Sequence, residues 1–575
     1  MTRPDWINVL ARTIRRWQQL SPARQVLIAA ALFWGLALLL QAWRLLSLNA
    51  SYDQGIFTQV LWNGLGGHPF ESTLSSQLST NVVHSGELPA LGYRRLGQHF
   101  TPALITWMPL LGLLGTAALP LVQTGLLTAA GLVLFQLART QLDERVAARV
   151  AFSWFLAQAV IAPMLGNFTD LCQLPLCVFA VLLGIERRRL WLTLIPTLYM
   201  PLIREDTGVL LMGIALWCFL RRPHWRLPAA LMGLYGAGWV YAATNLFMPL
   251  YSEDVSKRFM VEKFGHYLGE KEEASSAEVL GLVLSQPWKV VQELVSPPGK
   301  TIGYLLAQGL PLALVPLISL DAWLLMGLPM LGLLLAQGAN DPLSISIRYA
   351  LLVVPGLFAG GVYWLAGHPG LLARRRFRAI WAGCSTLSLL LALASNPHHA
   401  LSFLLPDSYQ PWLHTSAPAQ LRHGQQAFAL LDEIPQTDSV SATAMLIPHL
   451  ARREVALRFP NSIAYRDRQG QEQLVDWIAV DVEQPLREAK AFRKQRQPLR
   501  RLIRRLEDAR AKDDFGLVAC GHGLVLLRHN QPDQPAALAA YQQLLASMPA
   551  AVRNNLEPAK EDGNQQNDAP AQAKA

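Results

Sequence analysis

Tyr52-Asp53-Gln54-Gly55-Ile56-Phe57-Thr58-Gln59-Val60-Leu61-Trp62-Asn63 opens a polar stretch that Gly97-Gln98-His99-Phe100-Thr101-Pro102 closes. A long apolar segment precedes it and a chain of further apolar segments follows, so it is the first sizeable polar interruption of the sequence. Asp53 stands about one turn beyond the first apolar segment. Ile56, Phe57, Val60 and Leu61 then fall at i, i+1, i+4 and i+5, one face of a short helix. That pattern suits a helix lying on a bilayer surface and holding Asp53 at the interface. An ordinary loop with a solvated aspartate has the same spacing, and aspartate is also a good helix N-cap.

Lipid is the solvent the composition points to. Of 575 residues, 52% are hydrophobic and 16% charged, against about 25% charged in soluble domains. The formal charge is +10, and its placement matters more than its sum. Cys172, Cys177, Cys218, Cys384 and Cys520 are scattered, with no paired spacing for a disulfide framework or a metal site. Gln25 to Leu46 is too long for the apolar core of a signal peptide and lacks a small-residue cleavage site. It reads as a retained anchor.

A bilayer core needs about 20 apolar residues in a helix. Eleven segments near that length lie at 25–46, 118–138, 147–165, 171–185, 190–203, 207–220, 227–250, 302–318, 321–338, 349–366 and 379–395. Arginines sort their ends: Arg12, Arg15, Arg16 and Arg24, then Arg139, Arg145 and Arg149, Arg187 to Arg189, Arg221, Arg222 and Arg226, and Arg374 to Arg376 with Arg378. All fall on one side if residues 1–24 are cytoplasmic, as the positive-inside rule requires. Thr101 to Gly115 is apolar but short and holds Pro102 and Pro109. Counting it as a span would put three arginine clusters outside, so it reads as a re-entrant or interfacial helix. The outer face then carries loops 47–100 and 251–301, the turn Asn167-Phe168-Thr169-Asp170, Arg204-Glu205-Asp206, Asn340 to Arg348, and everything after Asn396. Acids and bases gather on that face, because each would cost about 2.5–3.5 kcal/mol at mid-bilayer.

Residues 396–551 change pattern. Strands are expected at Asp438 to Thr443, Val455 to Phe459 and Asp476 to Val480, and a helix at Met445 to Arg453. A strongly basic helix is expected at Ala489 to Lys512, and a hairpin at Gly516 to Ala519 and Leu524 to Arg528. Alternating strands and helices suggest a small soluble α/β domain. No glycine-rich phosphate loop opens its helices, which leaves a nucleotide site without support. The basic face reads as solvated, and nucleic acid is not an expected partner on this side of a membrane. From Val552 to Ala575 the chain is polar and Asn/Gln/Ala-rich, the composition of a disordered tail.

These residues resemble a bacterial family of membrane proteins of unknown function placed within the GT-C glycosyltransferase superfamily. The resemblance is carried by Tyr52-Asp53-Gln54-Gly55-Ile56-Phe57 with Gln59 and Leu61-Trp62, by Gly97-Gln98-His99-Phe100-Thr101-Pro102 and by Arg204-Glu205-Asp206. Phe264-Gly265-His266-Tyr267-Leu268-Gly269, Arg348-Tyr349-Ala350 with Pro355, Val440-Ser441-Ala442-Thr443 and Pro448-His449-Leu450-Ala451-Arg452-Arg453 complete the series, over about residues 25 to 530. Two positions depart from the family pattern. Phe168-Thr169-Asp170 stands where a His-Pro-acid group is usual, and Arg348 where histidine is.

The resemblance implies a polytopic α-helical protein of the bacterial inner membrane, GT-C-like over residues 25–395, with an extracytoplasmic C-terminal domain. It implies a catalytic acid in the first outer loop and a polyprenyl-phosphate-linked sugar as donor. On that reading Asp53 and Glu205 are the catalytic candidates. His99, Arg204, Arg348, Tyr349 and His266 are candidates for binding substrate. Imidazole suits a phosphate contact or proton relay, and a guanidinium forks two donors onto a phosphate. Asp53 and Asp170 are candidate ligands of a divalent cation, Mg or Mn, which wants several oxygens. The acceptor is not readable. A transporter or lipid-linked-glycan flippase, which internal repeats would favour, and a catalytically silent binding protein of the same fold are the other readings.

Overall fold

The computed structural model describes residues 15–82, 87–252, 255–269, 274–294, 296–336 and 343–553. Most of the expected tail and the first fourteen residues lie outside these. The start of the tail is corrected, because Ala550–Arg553 is helical and Val552 is fully buried.

The protein is mostly helical. Among the described residues four helices are long and apolar enough to cross a membrane: Pro22–Leu46, Pro102–Ala138, Glu144–Gly166 and Arg375–Ala394. Leu190–Ile203, Thr207–Arg221, Leu320–Leu335 and Ala350–Ala366 are apolar but shorter. Lipid explains their surfaces. Leu27, Leu32, Leu36 and Leu39 are 58–68% exposed along one helix, an apolar stripe that water would not tolerate. Proline shapes several of the helices. Pro196 and Pro201 lie inside Leu190–Ile203, Pro329 inside Leu320–Leu335 and Pro355 inside Ala350–Ala366, each withholding one ladder hydrogen bond.

Residues 102–114 form a 3-10 segment, Pro102–Trp107, and a short helix, Met108–Leu114. Gly115, at φ 57° and ψ −140°, kinks the Pro102–Ala138 run, whose longest regular part is Ala118–Ala138. That backbone angle favours glycine, since a Cβ would be strained there.

The C-terminal residues build a five-stranded sheet in the order Ala456–Arg458, Val440–Ala442, Trp477–Asp481, Leu524–His529, Phe515–Gly521. The first three strands are parallel, with Val440 opposite both Ala456 and Trp477. The last two run antiparallel, with Trp477 opposite Arg528. One helix is expected at Ala489 to Lys512. It is instead divided at Phe492 into Glu483–Ala491 and Arg496–Lys512. Its stripe of Leu499, Leu502, Ile503, Leu506 and Ala509 is buried against the sheet, while Arg501 and Arg504 are exposed.

The first loop joins the membrane helices to this sheet. Tyr52–Leu65 is a helix, but not one lying on a surface: Gln54, Ile56, Phe57, Gln59, Val60 and Asn63 are all buried. Burial on every side takes the polar residues with it, and each must then find a partner. Gln59 Nε2 donates to Thr73 Oγ1 (2.9 Å) and Glu454 O (3.0 Å), and its Oε1 accepts from Ser72 Oγ (2.8 Å) and Leu74 N (3.0 Å). A Cβ at Gly55 would overlap Ile447, so glycine lets the helix press onto the Ile447–Leu450 turn. The next helix, Thr73–Val82, covers the sheet edge. Thr73 Oγ1 donates to Ala456 O (2.7 Å) and accepts from Ala456 N (3.1 Å), and Gln77 does the same for Arg458 at 2.9 and 2.6 Å. Side chains thus satisfy an edge strand that would otherwise offer unpaired groups.

Candidate functional site

Asp53 is the second residue of the Tyr52–Leu65 helix, and the N-cap is Ser51, whose Oγ accepts from Gln54 N at 3.4 Å. Aspartate here is therefore free of the capping role, although a carboxylate in the first turn still suits the helix dipole. Its Oδ2 pairs with Arg348 Nη1 at 3.0 Å and accepts from Asn167 Nδ2 at 3.4 Å. Three distant segments thus meet on one carboxylate: the first loop, the turn after Gln158–Gly166, and the residue pair before Ala350–Ala366.

Arg204 ends the Leu190–Ile203 helix and is 2% exposed. Its Nη2 pairs with Asp206 Oδ2 at 3.0 Å and its Nε lies 3.7 Å from Glu205 Oε1. Burial works against this guanidinium, but Asp206 and Glu205 outweigh it and hold the pKa above its ordinary value. Glu205 also faces the first loop, with Oε1 2.9 Å from His99 Nδ1 and Oε2 accepting from Phe100 N at 3.0 Å. Phe100 then stacks on Phe247 with ring centroids 5.5 Å apart, near Trp239 at 6.0 Å. Tyr349 joins the two arginines: its ring lies 5.4 Å from the Arg204 guanidinium and 5.6 Å from that of Arg348.

Asp170 is 2% exposed, with Oδ1 accepting from Thr169 Oγ1 (3.1 Å) and Leu171 N (3.0 Å). No cation of a described residue pairs with it. Its charge is nevertheless among those that favour the charged forms of Arg95, Arg204 and Arg348. As cation ligands, Asp53 and Asp170 make a thin set. Asp53 is already spent on Arg348, and among the described residues no three His, Cys, Asp or Glu side chains converge as metal ligands. Hard divalent cations want more oxygens than Asp53 and Asp170 supply between them.

His266 lies elsewhere. Its Nε2 is 3.1 Å from Glu293 Oε2, to which Tyr267 Oη donates at 2.5 Å, and Lys289 donates to the His266 carbonyl. These partners all belong to residues 255–294, and among the described residues no hydrogen bond or ion pair joins His266 to Asp53, Arg204 or Arg348.

Three chamber residues escape sequence reasoning. Asn167 is a single amide in a turn. Arg95 sits in a 3-10 turn, Arg95–Gly97, with its guanidinium 4.7 Å over the Phe57 ring. His398, at φ 44°, lies where a side chain at Gly166 would meet it, and burial followed by the nearby Arg44 pushes it down to about 4 while Asp53 pulls the other way. The only signal available for Arg95 was its place four residues before His99 in a motif-bearing loop.

Among curated proteins none matches this chain. Among solved structures, the Archaeoglobus fulgidus oligosaccharyltransferase, crystallised with a disulfide-tethered acceptor peptide containing the NVT sequon, is similar over 88% of this chain and 74% of its own. Identity is 13% and the TM-score 0.35, a likeness too loose to fix either fold or function. The family model described as "Predicted membrane protein (DUF2079)" matches residues 44–526, most of the length that the helices and the sheet occupy. The chain belongs to that family of predicted membrane proteins.

Proposed function

We propose that the protein is a GT-C-type glycosyltransferase of the bacterial inner membrane. It moves a sugar from a polyprenyl-phosphate-linked donor to an acceptor on the outer face. The observation that carries this reading is the meeting of Asp53 with Arg348, and of Arg204 with Glu205 and His99, around the ring of Tyr349. A carboxylate and two guanidiniums in one buried chamber suit the leaving of a phosphate and the deprotonation of a hydroxyl.

In the resting chamber Asp53 is neutralised by Arg348. When a donor phosphate arrives, Arg348 exchanges the carboxylate for the phosphate, with Arg204 beside it. Asp53 is then free to take the acceptor hydroxyl proton. The acceptor oxygen bonds to the anomeric carbon as the bond from that carbon to the phosphate oxygen breaks, with inversion, and the polyprenyl phosphate leaves onto the arginines. His99 and Glu205 fix the loop that closes the chamber.

The same ion pair favours one other reading, a binding protein of this fold that performs no chemistry. Purified protein given a polyprenyl-phosphate-linked sugar separates the two. Transfer is expected, and Asp53→Asn should cut it by about 10²–10⁴-fold. Parent-rate turnover in Asp53→Asn removes Asp53 from the mechanism, and no turnover with any such donor leaves the binding protein. The outer-face assignment rests on arginine placement, so a reporter active only in the cytoplasm, fused after Arg528, should be silent. A bright reporter there reverses the orientation.

A further inference from the structure

Arg95 has properties that the mechanism above does not use. It is 4% exposed, and its Nε is buried without a hydrogen-bond partner. Among the described residues no carboxylate pairs with it, although Arg348 has Asp53 at 3.0 Å and Arg204 has Asp206 at 3.0 Å. A buried guanidinium left without an acid is an expensive arrangement. The Phe57 ring, 4.7 Å away, returns part of that cost but accepts no N–H. Nor is the side chain there by accident of a loose loop. Arg95 N donates to Phe70 O at 2.9 Å, and Arg95 O accepts from Gln98 N and His99 N, both at 2.9 Å.

Two more donors on the surrounding turns are in the same condition. Thr101 Oγ1 is buried without a partner, and so is Arg204 Nε, whose nearest carboxylate oxygen is 3.7 Å away. The Arg95 charge is also felt within the chamber. Burial pushes it down and Arg348 adds to that push, while Asp170, Asp53 and Glu205 oppose it. Three donors lack acceptors while the acids are committed to other cations or to backbone, and the orphaned acceptors on the same turns, Gln98 Oε1 and Asn167 Oδ1, are neutral and leave the Arg95 charge unmatched.

We infer that Arg95 is a third anion-binding residue, and that the chamber takes a phosphate group on Arg95, Arg204 and Arg348 together. The chemistry is that of a phosphate monoester or diester, which presents several acceptor oxygens and matches forked guanidiniums. A carboxylate ligand would satisfy one fork and leave the others empty. This rests on the phosphate-binding half of the proposed function and is independent of whether transfer occurs.

The test uses full-length protein in detergent micelles and three probes: a polyprenyl monophosphate, the neutral polyprenol of the same length, and inorganic phosphate. Binding and the rise in melting midpoint are read for the parent, Arg95→Met and Arg95→Lys. The phosphate lipid should bind and stabilise the parent, and the polyprenol should not. If inorganic phosphate stabilises equally, the site takes free phosphate; if only the lipid does, it takes a lipid headgroup. Either result supports the site. Arg95→Met should weaken phosphate binding at least about tenfold, the loss expected for one charge-assisted hydrogen bond. Its own melting midpoint without ligand should stay level or rise, because an unpaired buried charge is gone. A merely structural arginine would do the reverse, lowering the midpoint and leaving affinity unchanged, and that result overturns the inference. So does a parent that no phosphate probe stabilises. Should Arg95→Met fail to fold, Arg95→Lys decides, since a point charge keeps the fold but loses the fork. Parent affinity in Arg95→Lys overturns the inference. Phosphate binding without sugar transfer would sink the transferase reading and leave this site standing.

Discussion

Arg44 and Arg95 are both buried guanidiniums, 1% and 4% exposed, and the protein treats them in opposite ways. Arg44, near the end of Pro22–Leu46, is given an acceptor on every side. Its Nη1 donates to Gln41 Oε1 (3.0 Å), Nη2 to Asn49 O (3.0 Å) and Gly166 O (2.9 Å), and Nε to His398 O (3.3 Å). One side chain thereby ties the first membrane helix to the turn after Gln158–Gly166 and to the chain entering the C-terminal sheet. Among the described residues Arg95 receives an aromatic face and no acceptor for its side chain. A fully satisfied buried cation is a piece of architecture, and an unsatisfied one is held for something that arrives later. Arg44 holds Gly166 O, one residue before Asn167, whose Nδ2 donates to Asp53, so the satisfied arginine braces the turn that reaches the site.

The largest expected effect lies in the braced region. Arg44→Met would strand the carbonyls of Asn49, Gly166 and His398 in the interior, and each buried orphan costs about 1–3 kcal/mol. A loss of at least about 3 kcal/mol, read as a collapse of the melting midpoint in detergent, is expected. If Arg44→Met melts with the parent, the contrast between the two arginines fails.

The chamber should respond in the opposite sense, through ligand rather than fold. Arg204→Lys and Arg348→Lys keep the charge and lose the fork. Each should bind a polyprenyl phosphate about tenfold more weakly, with a melting midpoint without ligand close to that of the parent. Binding at parent strength in the double Arg→Ala protein would remove these residues from the site.

A smaller effect separates two neighbours on one helix. Ser51 caps the Tyr52–Leu65 helix and Asp53 does not. Ser51→Ala should therefore cost about 1 kcal/mol of stability. Asp53→Asn removes the charge that neutralises Arg348, so it should lower stability through that pair while cutting transfer far more. Transfer at the parent rate in Asp53→Asn would mean that Asp53 serves only the Arg348 pair.

Much of this architecture was legible from pattern alone. The apolar segments expected at 118–138, 190–203, 207–220 and 349–366 return as Ala118–Ala138, Leu190–Ile203, Thr207–Arg221 and Ala350–Ala366. The strands expected around Val440, Val455 and Asp476 return as Val440–Ala442, Ala456–Arg458 and Trp477–Asp481. These are periodic features, and a solvent boundary writes them directly into the sequence. The surface helix at Asp53 was misread because Ile56, Phe57, Val60 and Leu61 look amphipathic. Gln59 and Asn63 on the other face are in fact buried against Glu454 and Glu71 carbonyls. Sequence spacing cannot separate a glutamine facing water from one facing a carbonyl that lies 395 positions away. Arg95 was missed for the same reason. Its meaning lies in which partners it lacks, and only the folded chamber shows that.

The C-terminal sheet offers the mildest contrast, between two histidines. His423 Nε2 lies 2.8 Å from Asp481 Oδ2, where Asp481 is 1% exposed and also accepts from Glu483 N at 2.9 Å. Burial opposes the charged imidazole and Arg487 does too, but the Asp481 hydrogen bond and charge, with Glu483, outweigh them and raise the pKa above 6.5. His449 has no such partner. It packs edge-on against Phe428 with its Nε2 unpaired, and burial pushes it down to about 4. A raised folded pKa means that the ion pair adds its full stability below the unfolded value, about 6.5, and loses it as pH climbs through the higher folded value. A lowered one means the reverse: His449 is harmless at pH 7, and as pH falls below about 6.5 it increasingly favours the unfolded chain, which binds that proton more readily. His423→Gln should therefore lower the melting midpoint most at pH 5.5–6 and least at pH 8.5, an effect of about 0.5–1 kcal/mol. His449→Gln should gain on the parent as the solution is acidified. Opposite slopes against pH mark one histidine paired and the other sealed in. Parallel slopes would mean that the Asp481 pair contributes nothing.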